Sequence, residues 1–151
     1  MQKHELFGLL TPTEIRTLSH ASSVVGLKEG DKVYSEGIPA SHLFVLLKGR
    51  VELRRPTRGE PGFLVDNLMP GSIFGVSSLT GIDRYLLNAE CVQDSEVLKI
   101  EGRVLRQILD GNPVVGYAVQ RRVSEIFFKR YVTAMERLQA VLQATPVGAH
   151  S

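Results

Sequence analysis

Four histidines and one cysteine are the side chains of this sequence best suited to bind a metal ion or to act in catalysis. The histidines are far apart, with no His-Xaa-Xaa-Xaa-His spacing for a metal site, at His4, His20, His42 and His150. A haem ligand at His20 or His42 has no supporting motif, and one cysteine cannot hold an iron–sulfur cluster. Cys91 lies in a predicted strand, where we expect a buried, unreactive thiol. We therefore expect a protein that is not an enzyme and holds no metal.

Basic side chains form two groups that could contact phosphate. The larger group consists of Arg121, Arg122, Lys129, Arg130 and Arg137, and the smaller group of Arg54, Arg55 and Arg58. Glu125 and Glu136 lie among the cations of the larger group, so we expect a solvated helix face. The smaller group lies beside a turn-rich segment and is expected to be a solvated loop. Neither group by itself predicts a nucleic-acid partner.

Composition favours one globular domain. The chain has 151 residues, of which 43% are hydrophobic, with 18 basic and 16 acidic residues, and single domains usually contain about 100 to 200 residues. No apolar run approaches the roughly 20 residues that cross a bilayer. The N-terminus lacks the apolar stretch of a signal peptide, so we expect a cytoplasmic protein without a membrane partner.

Helical signals come first, and a segment of short strands follows. Leu6, Leu9 and Leu10 precede Thr11, which can cap a helix that has Pro12 at its first position and Glu14 three residues after the cap. From about residue 23 to residue 100, short apolar runs predict an all-β sandwich or barrel, arranged as a meander of short strands. They are separated by glycines expected at strand corners, namely Gly30, Gly37, Gly49, Gly59, Gly62, Gly71, Gly75 and Gly81.

The C-terminal third predicts two helices. Val104, Leu105, Ile108 and Leu109 fit a short helix, and Asn112 with Pro113 begins a helix of about 32 residues, or roughly 48 Å. Its apolar stripe consists of Val115, Val119, Val123, Phe127, Tyr131, Met135, Leu138 and Leu142, widened by Ile126, Phe128 and Val132.

A small β core cannot cover so long a stripe, which favours pairing with the same helix of a second copy over packing along its own domain. The candidate dimer residues are Val119, Val123, Ile126, Phe127, Tyr131 and Leu138. A spacing close to four drifts from a strict heptad, so the expected seam is short or irregular.

Four segments in order resemble the cyclic nucleotide-binding domain of the catabolite-activator (Crp/Fnr) family. They are residues 30–37 (GDKVYSEG), 43–53 (LFVLLKGRVEL), 68–75 (LMPGSIFG), and Ala89 followed by 94–100 (DSEVLKI). The resemblance covers roughly residues 5 to 140. It implies a mainly β fold with flanking helices: a jelly-roll-like β-roll, or cupin-like barrel, with a long C-terminal dimerisation helix. We therefore predict one domain, 1–151, with N-terminal helices in 1–22, the β-roll in 23–101 and C-terminal helices in 104–144.

The resemblance places a phosphate-binding cassette at residues 75–89, beginning at Gly75. In this family a glutamate after that glycine accepts a hydrogen bond from the ribose hydroxyl, and an arginine pairs with the cyclic phosphate. Val76 stands in the place of the glutamate and cannot accept a hydrogen bond. Arg84 is the one basic residue of the segment and the candidate phosphate contact.

Other residues of the cassette also depart from the family pattern. The segment is one to two residues short: Arg84 arrives a residue early counted from Gly75, and Asp83 falls nearest the arginine position counted from Ala89. Tyr85 follows where a small side chain is typical, while Ser77, Ser78 and Thr80 offer hydroxyls. The alternative interpretation of Arg84 is a solvated loop arginine beside Asp83. The candidate ligand-binding residues are Gly75, Val76, Ser77, Ser78, Arg84 and Tyr85, and the implied ligand is cyclic AMP or cyclic GMP.

Members of the family often close the purine side with residues of the long helix, for which Gln120, Arg121 and Ser124 are candidates, although their spacing favours an exposed position. Transcription factors of the family continue for about 70 residues with a helix-turn-helix. This sequence ends soon after the long helix, so we expect a complete small protein that does not bind DNA directly.

Two hypotheses remain. The protein is a ligand sensor whose bound cyclic nucleotide or small anion repositions the long helix, or it is a constitutive regulatory and dimerisation module that acts through an unidentified protein partner. In the second hypothesis the degenerate cassette binds cyclic nucleotide weakly or not at all. In the second case the long helix and the hairpin at residues 54–62 would form its contact surfaces. Val76 favours the second hypothesis, while Arg84 and the flanking glycines keep the first open.

Overall fold

The N-terminal segment is helical in two short pieces. The computed structural model describes residues 7–58 and 61–144, so Leu6, His4, His150 and Gly59 lie outside the described residues. A 3-10 turn covers Phe7–Leu9, and α1 spans Pro12–His20. The predicted capping box is confirmed: Thr11 Oγ1 accepts a hydrogen bond from the Glu14 backbone N–H at 3.1 Å, and the Glu14 carboxylate accepts one from the Thr11 N–H at 2.9 Å.

Strands follow α1 throughout the middle of the chain. In the described ranges they are β1 Ser22–Leu27, β2 Lys32–Tyr34, β3 His42–Lys48, β4 Val51–Arg55, β5 Phe63–Leu68, β6 Ile73–Phe74, β7 Asn88–Cys91 and β8 Ser95–Glu101. They form two antiparallel four-stranded sheets, with the orders β1-β8-β3-β6 and β2-β7-β4-β5. The predicted meander is wrong, because most neighbours in each sheet are distant in sequence. The jelly-roll-like β-roll implied by the resemblance is confirmed.

Glycines allow the chain to turn at the corners of this roll. Positive φ angles occur at Gly30, Gly37, Gly49, Gly62, Gly71 and Gly75, as predicted for corners. Gly81 was expected to share this conformation and does not. The mixture of short strands and left-handed corners lets two small sheets fold over one another.

The core has two layers, and β3 contributes to both. Phe44 and Leu46 face the space between the sheets, whereas Leu43 and Val45 face the helices, as the two-residue period of a strand requires. This explains why β3 is an almost continuous apolar run.

Two helices complete the domain. α2 spans Gly102–Asp110, two residues longer at its start than predicted. α3 spans Pro113–Ala144, 32 residues, and begins as predicted with the Asn112 side chain accepting a hydrogen bond from the Val115 N–H at 3.4 Å. No helix in the described part of the chain has the combined length and apolarity needed to cross a bilayer.

The two halves of α3 differ in environment. Val119 and Val123 are 2% exposed and belong to the core beneath the helices, and Ile126 packs against the same cluster. The assignment of Val119 and Val123 to a seam with a partner helix is therefore corrected, because their own domain covers them. Ile126 is partly buried, and its place in a seam stays a prediction. The other three candidate dimer residues are exposed to solvent, namely Phe127, Tyr131 and Leu138.

Among the exposed apolar side chains in the second half of α3, five follow a regular heptad, and Phe127, Val132 and Val141 are exposed outside it. We call these five residues the distal stripe: Phe128, Tyr131, Met135, Leu138 and Leu142. The spacing between successive members alternates strictly between three and four residues. Phe128 and Tyr131 are 69% and 62% exposed, and their ring centroids are 6.4 Å apart. The drift seen in the sequence thus came from merging two stripes. One packs on the domain, and the other is largely exposed, with Tyr131 at its edge towards the β-roll.

Candidate ligand-binding site

Gly75 starts the segment that resembles the phosphate cassette. It joins β6 to a 3-10 turn, Val76–Leu79, and has a left-handed backbone with φ of +73°. A Cβ atom at this position would lie 2.9 Å from a ring carbon of Phe44 and 3.0 Å from the His42 carbonyl oxygen. Both the conformation and the close approach therefore require glycine.

A cleft of about 250 Å³ lies between this turn, the second sheet and α3. Val76 and Ser77 form its wall on the side of the turn, and Leu53, Val65 and Leu87 belong to the sheet side. Phe127, Tyr131 and Ala134 line it from α3. The cleft therefore joins the β-roll to the part of α3 that leads into the distal stripe.

Val76 and Ser77 differ from Ser78 in what they face. Val76 is 5% exposed and presents a hydrocarbon surface to the cleft. Ser77 is also buried and lines the same wall. The Ser78 hydroxyl instead donates a hydrogen bond to the Gly75 carbonyl at 3.0 Å, and its carbonyl accepts one from Arg106. Ser78 thus holds the turn on α2 rather than facing the cleft.

Arg84 lies on the outer surface. Its Nη1 donates a hydrogen bond to the Gly37 carbonyl oxygen at 2.9 Å, and its backbone bridges to Pro39. Arg84 is exposed and is not part of the described cleft wall. Of the candidate residues, the fold brings Gly75, Val76, Ser77 and Tyr85 together at the cleft and leaves Ser78 and Arg84 outside it.

Tyr85 turns inward and fills one end of the cleft. Its ring stacks on Tyr34 with centroids 3.9 Å apart and an interplanar angle of 13°. The Tyr85 hydroxyl donates to the His42 carbonyl at 2.7 Å and accepts from the His42 N–H at 3.1 Å. Burial raises the pKa of both tyrosines, so both hydroxyls stay neutral.

Arg130, which the sequence analysis placed on a solvated helix face, lines the cleft. Its Nε donates to Asp66 Oδ2 at 3.1 Å, and its Nη2 donates to the Ile73 carbonyl, which ties α3 to β5 and β6. The expectation of a solvated position is wrong here, since the side chain is 13% exposed. The spacing along α3 could have predicted this position, because residue 130 continues the domain-facing series of Val119, Val123 and Ile126.

Other polar candidates lie away from the cleft. Gln120, Arg121 and Ser124 are exposed on α3, and the described cleft wall does not include them. Arg54 pairs with Glu52 at 2.8 Å, so its expected place in a solvated loop is wrong. The described residues contain no cluster of three histidine, cysteine or acidic side chains that could hold a metal.

Cys91 is buried in β7, as predicted for its position in a strand. Burial raises the pKa of its thiol, which disfavours the reactive thiolate. Its environment is thus that of a packed core side chain, with sulfur filling space between the sheets.

Comparison with known proteins gives a consistent result. The sequence model of the cyclic nucleotide-binding domain family matches residues 24–112, more than half of the chain. A Geobacter metallireducens structure described as a cyclic nucleotide-binding protein is similar, with TM-score 0.73 and 27% identity over 85% of this chain and 92% of that one. The sensor domain of the transcriptional regulator DNR from Pseudomonas aeruginosa has TM-score 0.76 and 23% identity over 86% of this chain and 87% of that one.

Lysophospholipase NTE1 of Candida glabrata is 27% identical, and the match covers 80% of this chain. The chain spans only 8% of the length of that enzyme. The matched family and the β-roll geometry agree on one assignment: the chain belongs to the cyclic nucleotide-binding domain family and has the fold of the Crp/Fnr-type regulatory domains.

Proposed function

We propose that this chain is a non-catalytic regulatory module that has lost the recognition of cyclic nucleotides, dimerises through α3 and acts through a protein partner. The observation that carries the proposal is Val76, buried at the cleft wall, in the position where the resemblance to the family implies a glutamate. The lysophospholipase activity belongs to the Candida glabrata relative and is not carried over. A cytoplasmic location stays a prediction.

The charges around the cleft support the loss of nucleotide binding. A cyclic phosphate carries a negative charge, which is costly to bury without a cation and hydrogen-bond donors. Arg84 donates to Gly37 outside the cleft. Among the described cleft-lining residues the cation is Arg130, whose charge Asp66 already balances at 3.1 Å. A phosphate would therefore have to compete with Asp66 for Arg130 in an existing, partly buried ion pair.

The distal stripe supports dimerisation with a second copy. Alternating spacings of three and four place large apolar side chains at the a and d positions of a two-stranded coiled coil. A two-fold axis along the stripe would pair each such residue with its own counterpart, because the same surface serves both chains. The upstream half of α3 packs on its own domain and would hold the stripe at a fixed position relative to the roll.

Calorimetric titration with cyclic AMP and cyclic GMP tests the loss of nucleotide binding. We expect no heat of binding and no thermal shift at millimolar nucleotide. The variant Val76→Glu restores the ribose acceptor, and a gain of binding in that variant alone would identify Val76 as the lost contact. Binding of either nucleotide to the unmodified protein would contradict the proposal, and the variant Arg84→Ala would then show whether Arg84 makes the phosphate contact.

The second candidate function is a genuine sensor of cyclic AMP, cyclic GMP or another small anion whose binding repositions α3. The observation in its favour is the backbone of the cassette, since Gly75 and the 3-10 turn that follows it keep a left-handed start and a compact turn. Nucleotide binding in the titration above, together with a change in the environment of the α3 aromatic residues, would support this function.

A further inference from the structure

The walls of the cleft between the β-roll and α3 are suited to an uncharged ligand. Leu53, Val65, Val76, Leu87 and Phe127 present hydrocarbon or ring surface to it. The apolar atoms that line the cleft lack dispersion contacts on the side that faces its interior. An apolar ligand would supply those contacts, and neither ligand nor protein would lose hydrogen bonds to water. We propose that the cleft binds a neutral aromatic molecule of about two fused rings.

The polar groups of the cleft argue against a charged ligand. The Tyr85 hydroxyl is engaged with the His42 backbone. The Arg130 guanidinium is engaged with Asp66 and Ile73. Ser77 adds one hydroxyl to the wall, which suits a single hydrogen bond to a neutral donor or acceptor on the ligand. An anion would lose hydration here and gain a cation whose charge is already balanced.

The volume sets the size of the ligand. An apolar cavity of about 150 Å³ accepts benzene. A cleft of about 250 Å³ therefore accommodates a bicyclic ring system. The stacked pair of Tyr34 and Tyr85 closes one end with aromatic surface, against which a planar ring can lie in an offset or edge-to-face arrangement.

This ligand class deepens the regulatory function proposed above and rests on it, because the cleft and the distal stripe share Tyr131. A molecule in the cleft would contact the turn at Val76 and the helix at Phe127 at the same time. Its binding free energy would then depend on the position of α3. By thermodynamic linkage, each bound ligand would change the dimerisation equilibrium by the factor by which dimerisation changes the affinity of one cleft.

Indole is a suitable probe, because the protein contains no tryptophan and indole fluorescence can be read without a protein indole signal. We expect a saturable blue shift of indole emission on addition of the unmodified full chain, and displacement by naphthalene. Indole-3-carboxylate, the anionic analogue, should bind about tenfold more weakly. Because the naphthalene experiment uses the unmodified chain, a variant that fails to fold cannot affect its result.

Ala134→Phe tests the location, since the new ring would occupy the helix side of the cleft. Ala140→Phe is the matched control, the same change at an exposed position of α3. Indole affinity should fall at least about tenfold in Ala134→Phe and stay unchanged in Ala140→Phe.

Absence of saturable indole binding, failure of naphthalene to displace it, equal affinity in both variants, or tighter binding of the carboxylate would overturn the ligand class. The proposed function fails separately, through cyclic nucleotide binding to the unmodified chain. A chain that binds neither indole nor nucleotide would disprove the apolar ligand and leave the dimerising module intact.

Discussion

Gly75 acts through its backbone rather than through a side chain. Replacement by alanine would combine a left-handed φ of +73° with a Cβ atom 2.9 Å from the Phe44 ring. Gly30 is the matched control, because its φ is +93° and no described atom lies within 4 Å of the added Cβ. We expect a loss of about 3 kcal/mol in the free energy of unfolding for Gly75→Ala and about 1 kcal/mol for Gly30→Ala, measured by urea denaturation.

Equal losses in the two variants would contradict a special packing role for Gly75 and leave backbone strain as the whole effect. The comparison also bears on the site, since the same glycine starts the turn that carries Val76 and Ser77. The location of the cassette along the chain could be predicted from the sequence. The outward position of Arg84 and the inward position of Tyr85 could not, because they depend on hydrogen bonds to Gly37 and His42, more than 40 residues away in sequence.

At the scale of elements, α3 divides into a half that stabilises the domain and a half that does not. Val119→Ala removes two methyl groups from a site 2% exposed, which should lower the free energy of unfolding by about 2 kcal/mol. Leu142→Ala removes a larger side chain from a site 62% exposed and should change that free energy by less than about 0.5 kcal/mol. Urea denaturation at protein concentrations low enough to hold the chain monomeric distinguishes them.

A similar loss in both variants would mean that the distal half of α3 also packs on the domain. The expected contrast explains why α3 was harder to interpret than α1. The capping box of Thr11 and the start at Asn112 are local signals, carried by residues within three positions of one another. The direction in which each apolar side chain of α3 faces depends on the distant sheet and helices, so the sequence showed one stripe where the structure has two.

The order of strands in each sheet was hard to predict for the same reason, because it too depends on segments that are distant in sequence. β1 pairs with β8, and β3 lies between β8 and β6, so most pairings join segments that no local pattern connects. The short apolar runs and glycine corners were enough to predict strands, but only the resemblance to a family implied a jelly roll. The partly buried pair of Arg130 and Asp66 likewise joins α3 to β5 across the domain. In the sequence, the charges of α3 around Arg130 form the same pattern as those of a helix face exposed to solvent.

At the scale of the whole molecule, the distal stripe predicts a dimer. We expect light scattering to give the mass of a dimer at tens of micromolar protein, because a heptad of exposed apolar side chains gains most by pairing with its own copy. Leu138→Arg places a charge at a d position and should give a monomer. Ala140→Arg places the same charge on the same helix at an exposed site outside the stripe and should leave the dimer unchanged.

The two variants separate a specific seam from a general effect of added charge. A monomer for the unmodified chain would refute the seam, and loss of the dimer in both variants would show that charge rather than the stripe controls association. If Leu138→Arg alone is monomeric, the indole titration can be repeated on it. Tyr131 belongs to both the cleft and the stripe, so we expect indole affinity to differ between monomer and dimer. Because a dimer has two clefts, linkage requires saturating indole to shift the dimer dissociation constant by the square of that affinity ratio.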